Sequence, residues 1–216
     1  MSTPFFFCPS HLPSTLLLSE LVSAVQNLSG AVGSPTFPPH LTVLTGIEGE
    51  VRNKGISGDL GAERRASAFT PTFFRKIFGQ EDEVVARVRE VASRLASFEI
   101  PFVGAEAGAS YFQCVYLLCD RTPSVLAANA AFKAGLGPLV KWAPNPEYKP
   151  HVSLLYGDLT PAAKEASLER LRRDHGALLQ PGAAFVASEL TVWQTGAGLS
   201  DLDMTSWREA AAFKLS

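Results

Sequence analysis

Two separated stretches of the chain share one pattern, and that repeat constrains the fold more than any other feature. Pro38-Pro39-His40-Leu41-Thr42-Val43-Leu44 is matched by Lys149-Pro150-His151-Val152-Ser153-Leu154-Leu155-Tyr156. Each runs Pro, His, an apolar residue, a small hydroxyl residue, then more apolar residues. The tails predict strands, in which residues i and i+2 project from one face. His40 then shares a face with Thr42, and His151 with Ser153. Each motif strand is followed by a helical pattern and then by a strand opening on Phe (Phe98, Phe185), so the chain reads as two related halves.

That arrangement suits chemistry on a phosphate. An imidazole gains or loses a proton near neutral pH, and a hydroxyl on the same face can donate to a phosphoryl oxygen. Facing copies would supply an acid, a base and two phosphate clamps with no metal or cofactor. One His-x-Ser/Thr occurs by chance, and a lone strand histidine is more often structural. Two copies, both after Pro and holding two of only four histidines, point to catalysis. The other two, His11 in a Pro-rich turn and His175 beside Gly176, lack this context and are expected at the surface.

Composition narrows the partner. Of 216 residues, 46% are hydrophobic and 19% charged, as in a globular chain able to bury one sizeable core. The net charge of −2 and sequence pI near 6.1 give no basic field to hold a long nucleic acid. A small phosphorylated substrate fits better than duplex RNA or DNA, and no stable nucleic-acid partner is expected. Cys8, Cys114 and Cys119 have no metal-ligand spacing and form no disulfide framework. Prolines interrupt the apolar N-terminus, and no apolar run approaches the roughly 20 residues of a membrane span. A soluble, intracellular, cytoplasmic monomer is the expectation.

Taken in order, Phe5 to Cys8 predicts a strand, and Leu17, Leu18, Leu21, Val22, Val25 and Leu28 a helix capped by Ser14. Glu48 to Gln80 has little periodicity and is expected to be a loosely packed or disordered insertion, or else a basic lid. Val84, Val88, Val91 and Leu95 predict a second helix. Phe98 to Val103 and Tyr111 to Cys119 predict a hairpin joined by the Gly104 to Gly108 loop. Thr122-Pro123 and Thr160-Pro161 each predict a capped helix, N-cap Thr then Pro. Phe185 to Trp193 and Trp207 to Leu215 predict the last strands.

Phe37 to Val43, Tyr111 to Leu118 and Pro150 to Tyr156 together resemble the signature of the 2H phosphoesterase superfamily, most of all its plant and fungal 2′,3′-cyclic nucleotide phosphodiesterase branch. The likeness reaches both ends of the chain and omits mainly Glu48 to Gln80. It implies a single α+β domain over residues 1–216, bilobal, with two pseudo-symmetric lobes of antiparallel sheet and helices outside. It also implies metal-independent hydrolysis of 2′,3′-cyclic nucleotides to 2′-phosphates, and of ADP-ribose 1″,2″-cyclic phosphate to the 1″-phosphate. His151 would be base and His40 acid, Thr42 and Ser153 would bind the phosphate, and Tyr156 would contact base or ribose. Simple alternation puts Tyr156 on the face opposite His151, so its role requires a bulge or the strand's end. The rival readings are a 2H enzyme acting on RNA ends, ligase-like or trimming, and a non-catalytic nucleotide-binding protein.

Overall fold

A computed structural model describes residues 2–9, 15–48, 81–139, 147–195, 204 and 207–216. The predicted insertion, His11 and the Ser14 cap lie outside the described residues, apart from Glu48 itself. Among the described residues, four helices, α1 (Thr15–Val32), α2 (Glu81–Ala92), α3 (Pro123–Leu136) and α4 (Pro161–Asp174), accompany seven strands. These are β1 (Ser2–Pro9), β2 (Leu41–Glu48), β3 (Phe98–Ala107), β4 (Val115–Cys119), β5 (His151–Leu155), β6 (Ala184–Gln194) and β7 (Arg208–Lys214).

All strands pair antiparallel in the order β1-β2-β5-β4-β3-β6-β7, and β6 also pairs with β1. The sheet therefore curls until the path from β1 through β6 returns to β1. Exchanging β1 with β4, β2 with β5 and β3 with β6 leaves the pairing of these six strands unchanged, which is the twofold pseudo-symmetry expected of the repeat, and β7 adds to β6 outside it. The helices obey the same exchange: α1 packs on β5 and on α4, while α3 packs on β2 and on α2. Each half thus covers the motif strand of the other half.

The symmetry extends to register. Phe5 pairs with Leu44 and Phe6 with Thr42, so Val43 is an extra, bulged residue. Val115 pairs with Leu155 and Tyr116 with Ser153, so Leu154 is bulged in the same way. A bulge reverses the alternation of side chains beyond it. The carbonyl of bulged Val43 accepts a 2.7 Å bond from Asn129 Nδ2, which explains a buried Asn on an otherwise apolar helix face.

Helix signals read from sequence hold well. Thr122 Oγ1 accepts from Val125 N and Thr160 Oγ1 from Ala163 N, each at 3.3 Å with Pro next in the chain. On α1, Leu21, Ala24, Val25 and Leu28 are buried at i, i+3, i+4, i+7, but Val22 leaves the stripe and is 37% exposed. Gly135 of α3 permits a close approach to α2, since a Cβ there would lie 2.5 Å from Val91. The buried apolar residues form one connected core, and none of the described helices is long and apolar enough to cross a membrane.

Two expectations are corrected. The Gly104 to Gly108 stretch is not a loop: β3 runs to Ala107, with Gly104 opposite Leu118 and Glu106 opposite Tyr116. Ladder bonds with β4 outweigh the low strand propensity of a single glycine, and the turn falls later, at Gly108, where a Cβ would collide with the Gln113 carbonyl. Tyr111–Gln113 is accordingly a 3₁₀ turn rather than the start of β4. His175 is not a surface residue: only 4% exposed, it closes α4, and its Nδ1 lies 2.8 Å from Glu20 Oε1 of α1.

Candidate active site

The motif strands meet at a single register pair, Leu41 with Val152. His40 and His151 immediately precede these two residues, so one histidine flanks the join on each side. The site stands on the axis that relates the two halves.

Both imidazoles are fixed by one local device. His40 Nδ1 lies 2.7 Å from the Pro38 carbonyl, and His151 Nδ1 lies 2.8 Å from the Lys149 carbonyl, each two residues back. A carbonyl only accepts, so Nδ1 carries the hydrogen and Nε2 carries the ring's lone pair. The proline between explains the geometry, because a residue before Pro is confined to extended backbone. The Pro common to both motifs was thus the signal for an anchored tautomer.

Burial differs between the two. His40 is only 6% exposed, and desolvation depresses its pKa to about 4, against the pull of the Pro38 carbonyl and with a further push from the His151 charge. His151 is half-buried, and desolvation also holds it below the ordinary histidine value, with the Lys149 ammonium acting in the same sense. Burial thus disfavours the charged form of both imidazoles, and more so for His40.

The hydroxyl residues come two positions after each histidine on the same strands. Ser153, 5% exposed, donates from Oγ to the Phe112 carbonyl at 2.9 Å. Thr42 is half-buried, and its carbonyl accepts from Tyr148 Oη at 3.1 Å, which gives Tyr148 a structural part in β2. Tyr156 follows β5, and the Leu154 bulge supplies the reversal that its role required. Its Oη lies 3.3 Å from His40 Nε2, so one phenol joins the first motif to the strand end of the second.

Tyr156 meets the site through oxygen rather than through an open ring. It is 3% exposed, with one face stacked on Phe37 at 3.9 Å and its edge region packed by Phe112 at 5.2 Å. Ser34 Oγ donates to its carbonyl at 2.6 Å, and Gly157 N donates to Tyr111 O at 3.0 Å, pinning the chain on either side. Trp207 adds a further aromatic contact to Phe112 and Tyr156.

A cluster missed by sequence reasoning borders His151. Lys149 Nζ donates to Glu106 Oε2 at 2.6 Å and to Tyr116 Oη at 2.8 Å, while Tyr116 Oη donates to the same carboxylate oxygen at 2.8 Å. The Tyr116 ring makes a T-shaped contact with His151, with centroids 5.2 Å apart. Only the extension of β3 to Ala107, which Gly104 concealed, brings Glu106 here. Among the described residues no group of three or more His, Cys, Asp or Glu is placed to hold a metal ion.

Known proteins share this fold. The solved structure of TT0787 of Thermus thermophilus aligns over 100% of this chain and 98% of its own, with a TM-score of 0.54 at 14% identity. That of Escherichia coli LigT complexed with 3′-AMP aligns over 100% and 99%, with a TM-score of 0.50 at 13% identity. In sequence, an Arabidopsis thaliana protein named cyclic phosphodiesterase is 26% identical over 171 residues, 78% of this chain and 90% of its own. The model of the family described as cyclic phosphodiesterase-like protein matches residues 1–214. With nearly every residue covered, the chain belongs to the cyclic phosphodiesterase-like family.

Proposed function

We propose that the protein hydrolyses 2′,3′-cyclic nucleotides to nucleoside 2′-phosphates, and ADP-ribose 1″,2″-cyclic phosphate to ADP-ribose 1″-phosphate, without a metal ion. The observation that carries this reading is the matched pair of imidazoles at the Leu41–Val152 join, each with Nδ1 committed to a carbonyl and Nε2 turned to chemistry. Opening a strained cyclic phosphate needs a base for the attacking water and an acid for the departing ribose oxygen. Two histidines supply both transfers, each worth about 10²- to 10⁴-fold. Thr42 and Ser153 hold the non-bridging oxygens as charge builds on them. Ser153 does so by turning its proton from the Phe112 carbonyl to the phosphate.

The family resemblance makes His151 the base and His40 the acid. In the free protein the electrostatics favours the converse, because burial keeps His40 neutral down to about pH 4 and Tyr156 Oη is poised to donate to its Nε2. His151, more accessible, is more readily protonated next to an anionic phosphate. In this second reading His40 takes the proton from water and His151 gives one to the leaving oxygen.

Tyr156 contacts the ribose or the phosphate through its hydroxyl, and the small bound substrate needs no lasting nucleic-acid partner. A phosphorus NMR time course with 2′,3′-cyclic AMP in chelator tests the proposal. A 2′-phosphate product supports it, and metal-dependent turnover opposes it.

A further inference from the structure

We propose that Tyr116, Glu106 and Lys149 form a positioning unit for His151, one that holds its imidazole in a T-shaped contact with a tethered phenol and fixes the charge beside it. The inference rests on the reading of His151 as a proton-transfer residue, and it deepens that reading.

Three elements converge to build the unit. Glu106 lies on β3, Tyr116 opposite it on β4, and Lys149 on the segment leading into β5. Tyr116 is also paired with Ser153, so the phenol stands over the second motif. Lys149 contributes at both of its ends: its carbonyl binds His151 Nδ1 at 2.8 Å, and its ammonium binds Glu106 and the Tyr116 hydroxyl. The ammonium also lies 5.0 Å from the centroid of the Tyr116 ring, which makes the T-shaped contact with His151. The ring that touches the imidazole is therefore clamped by a lysine that itself holds the imidazole.

The unit is more than a surface ion pair. Lys149 and Glu106 are about half-exposed, and such a pair alone contributes little to stability. Here the lysine of the pair acts on His151, and its carboxylate partner sets how much of that charge is left uncompensated. The charged and titratable groups around His151 are Lys149 from its own segment, Tyr116 from β4 and His40 at the head of β2, while Glu106 of β3 reaches it through Lys149 and Tyr116, which it binds. The Lys149 cation opposes protonation of His151, and Glu106 offsets that cation. The first motif differs at the position of Lys149, which is occupied by Pro38, so only His151 is tuned in this way.

The test is a side-chain NMR titration of His151 in the free protein, its resonance assigned by loss in His151→Asn. Lys149→Met should raise the midpoint by about half a unit, and Glu106→Gln should lower it by a similar amount. Lys149→Arg, which keeps the cation, should leave it near the original value. The matching limb of the kcat/KM profile should move with the midpoint. Midpoints unmoved in Lys149→Met and Glu106→Gln would overturn the proposal, even if both variants lose activity. Opposite shifts in a protein without phosphodiester turnover would support the unit and count against the proposed reaction instead.

Discussion

Tyr156 places its hydroxyl 3.3 Å from Nε2 of His40, across 116 residues of sequence, and so ties the second motif strand to the histidine of the first. The contact exists because Leu154 is bulged, which turns the residues beyond it to the face of His151 and Ser153. Tyr156 is therefore at once a core aromatic stacked on Phe37 and a polar contact in the site.

These two parts separate by substitution. Tyr156→Phe keeps the Phe37 stack and removes only the oxygen, so its stability cost should stay near about 1 kcal/mol while turnover falls. Tyr156→Ala removes a buried ring and should cost about 3 to 5 kcal/mol. Denaturant melts paired with rate measurements check this. Full activity in a stably folded Tyr156→Phe would remove the hydroxyl from the site.

Each histidine should be indispensable. His40→Ala and His151→Ala should each lower kcat by about 10²- to 10⁴-fold with smaller effects on binding, because proton transfer belongs to the transition state. Thr42→Val and Ser153→Ala should each cost up to about 10²-fold. A non-catalytic binding protein would instead show cyclic-nucleotide affinity that survives His151→Ala and no turnover to lose.

The choice of acid is open to a chemical test. An aryl phosphodiester with a good leaving group needs no acid, so the variant lacking the acid should recover activity on it, while the variant lacking the base should not. With His40 as base, rescue is expected for His151→Ala. Rescue of His40→Ala would restore the assignment implied by the family.

Stability should depend on the pH at which His40 titrates. Its pKa is about 4 in the fold and about 6.5 when unfolded, so between these values the unfolded chain binds the extra proton. Stability is then complete above about pH 6.5 and is lost as pH falls toward 4, by up to about 3 kcal/mol. Urea melts from pH 7 to 4 should show a shallower slope in His40→Asn than in the parent. Equal slopes would show that His40 is not held neutral.

Asn129 tests how the motif strand is held. Asn129→Leu leaves the Val43 carbonyl without its donor in a buried place and should cost about 1 to 3 kcal/mol. A melt unchanged within error would show that water replaces the amide.

What could be read from the sequence was what is encoded locally. The two motifs, the Thr-Pro helix caps and the apolar stripes lie within a few residues of one another, and the repeated Pro-His marked the twofold relation before any pairing was known. Register was not legible. The bulges at Val43 and Leu154 depend on what β1 and β4 present, and Gly104 read as a turn residue although β4 zips β3 past it. The partners of His151 come from β3 and β4, and nothing near the motif names them. His175 looked like an exposed helix end because its partner, Glu20, lies 155 residues away.

The central claim is that two anchored histidines open a cyclic phosphate without a metal ion, and phosphorus NMR of the purified protein with 2′,3′-cyclic AMP in excess chelator tests it most directly. The expected result is replacement of the cyclic phosphate resonance by that of a nucleoside 2′-phosphate, abolished in His40→Ala and in His151→Ala. Turnover that requires an added divalent ion, or that survives loss of either histidine, would contradict the account.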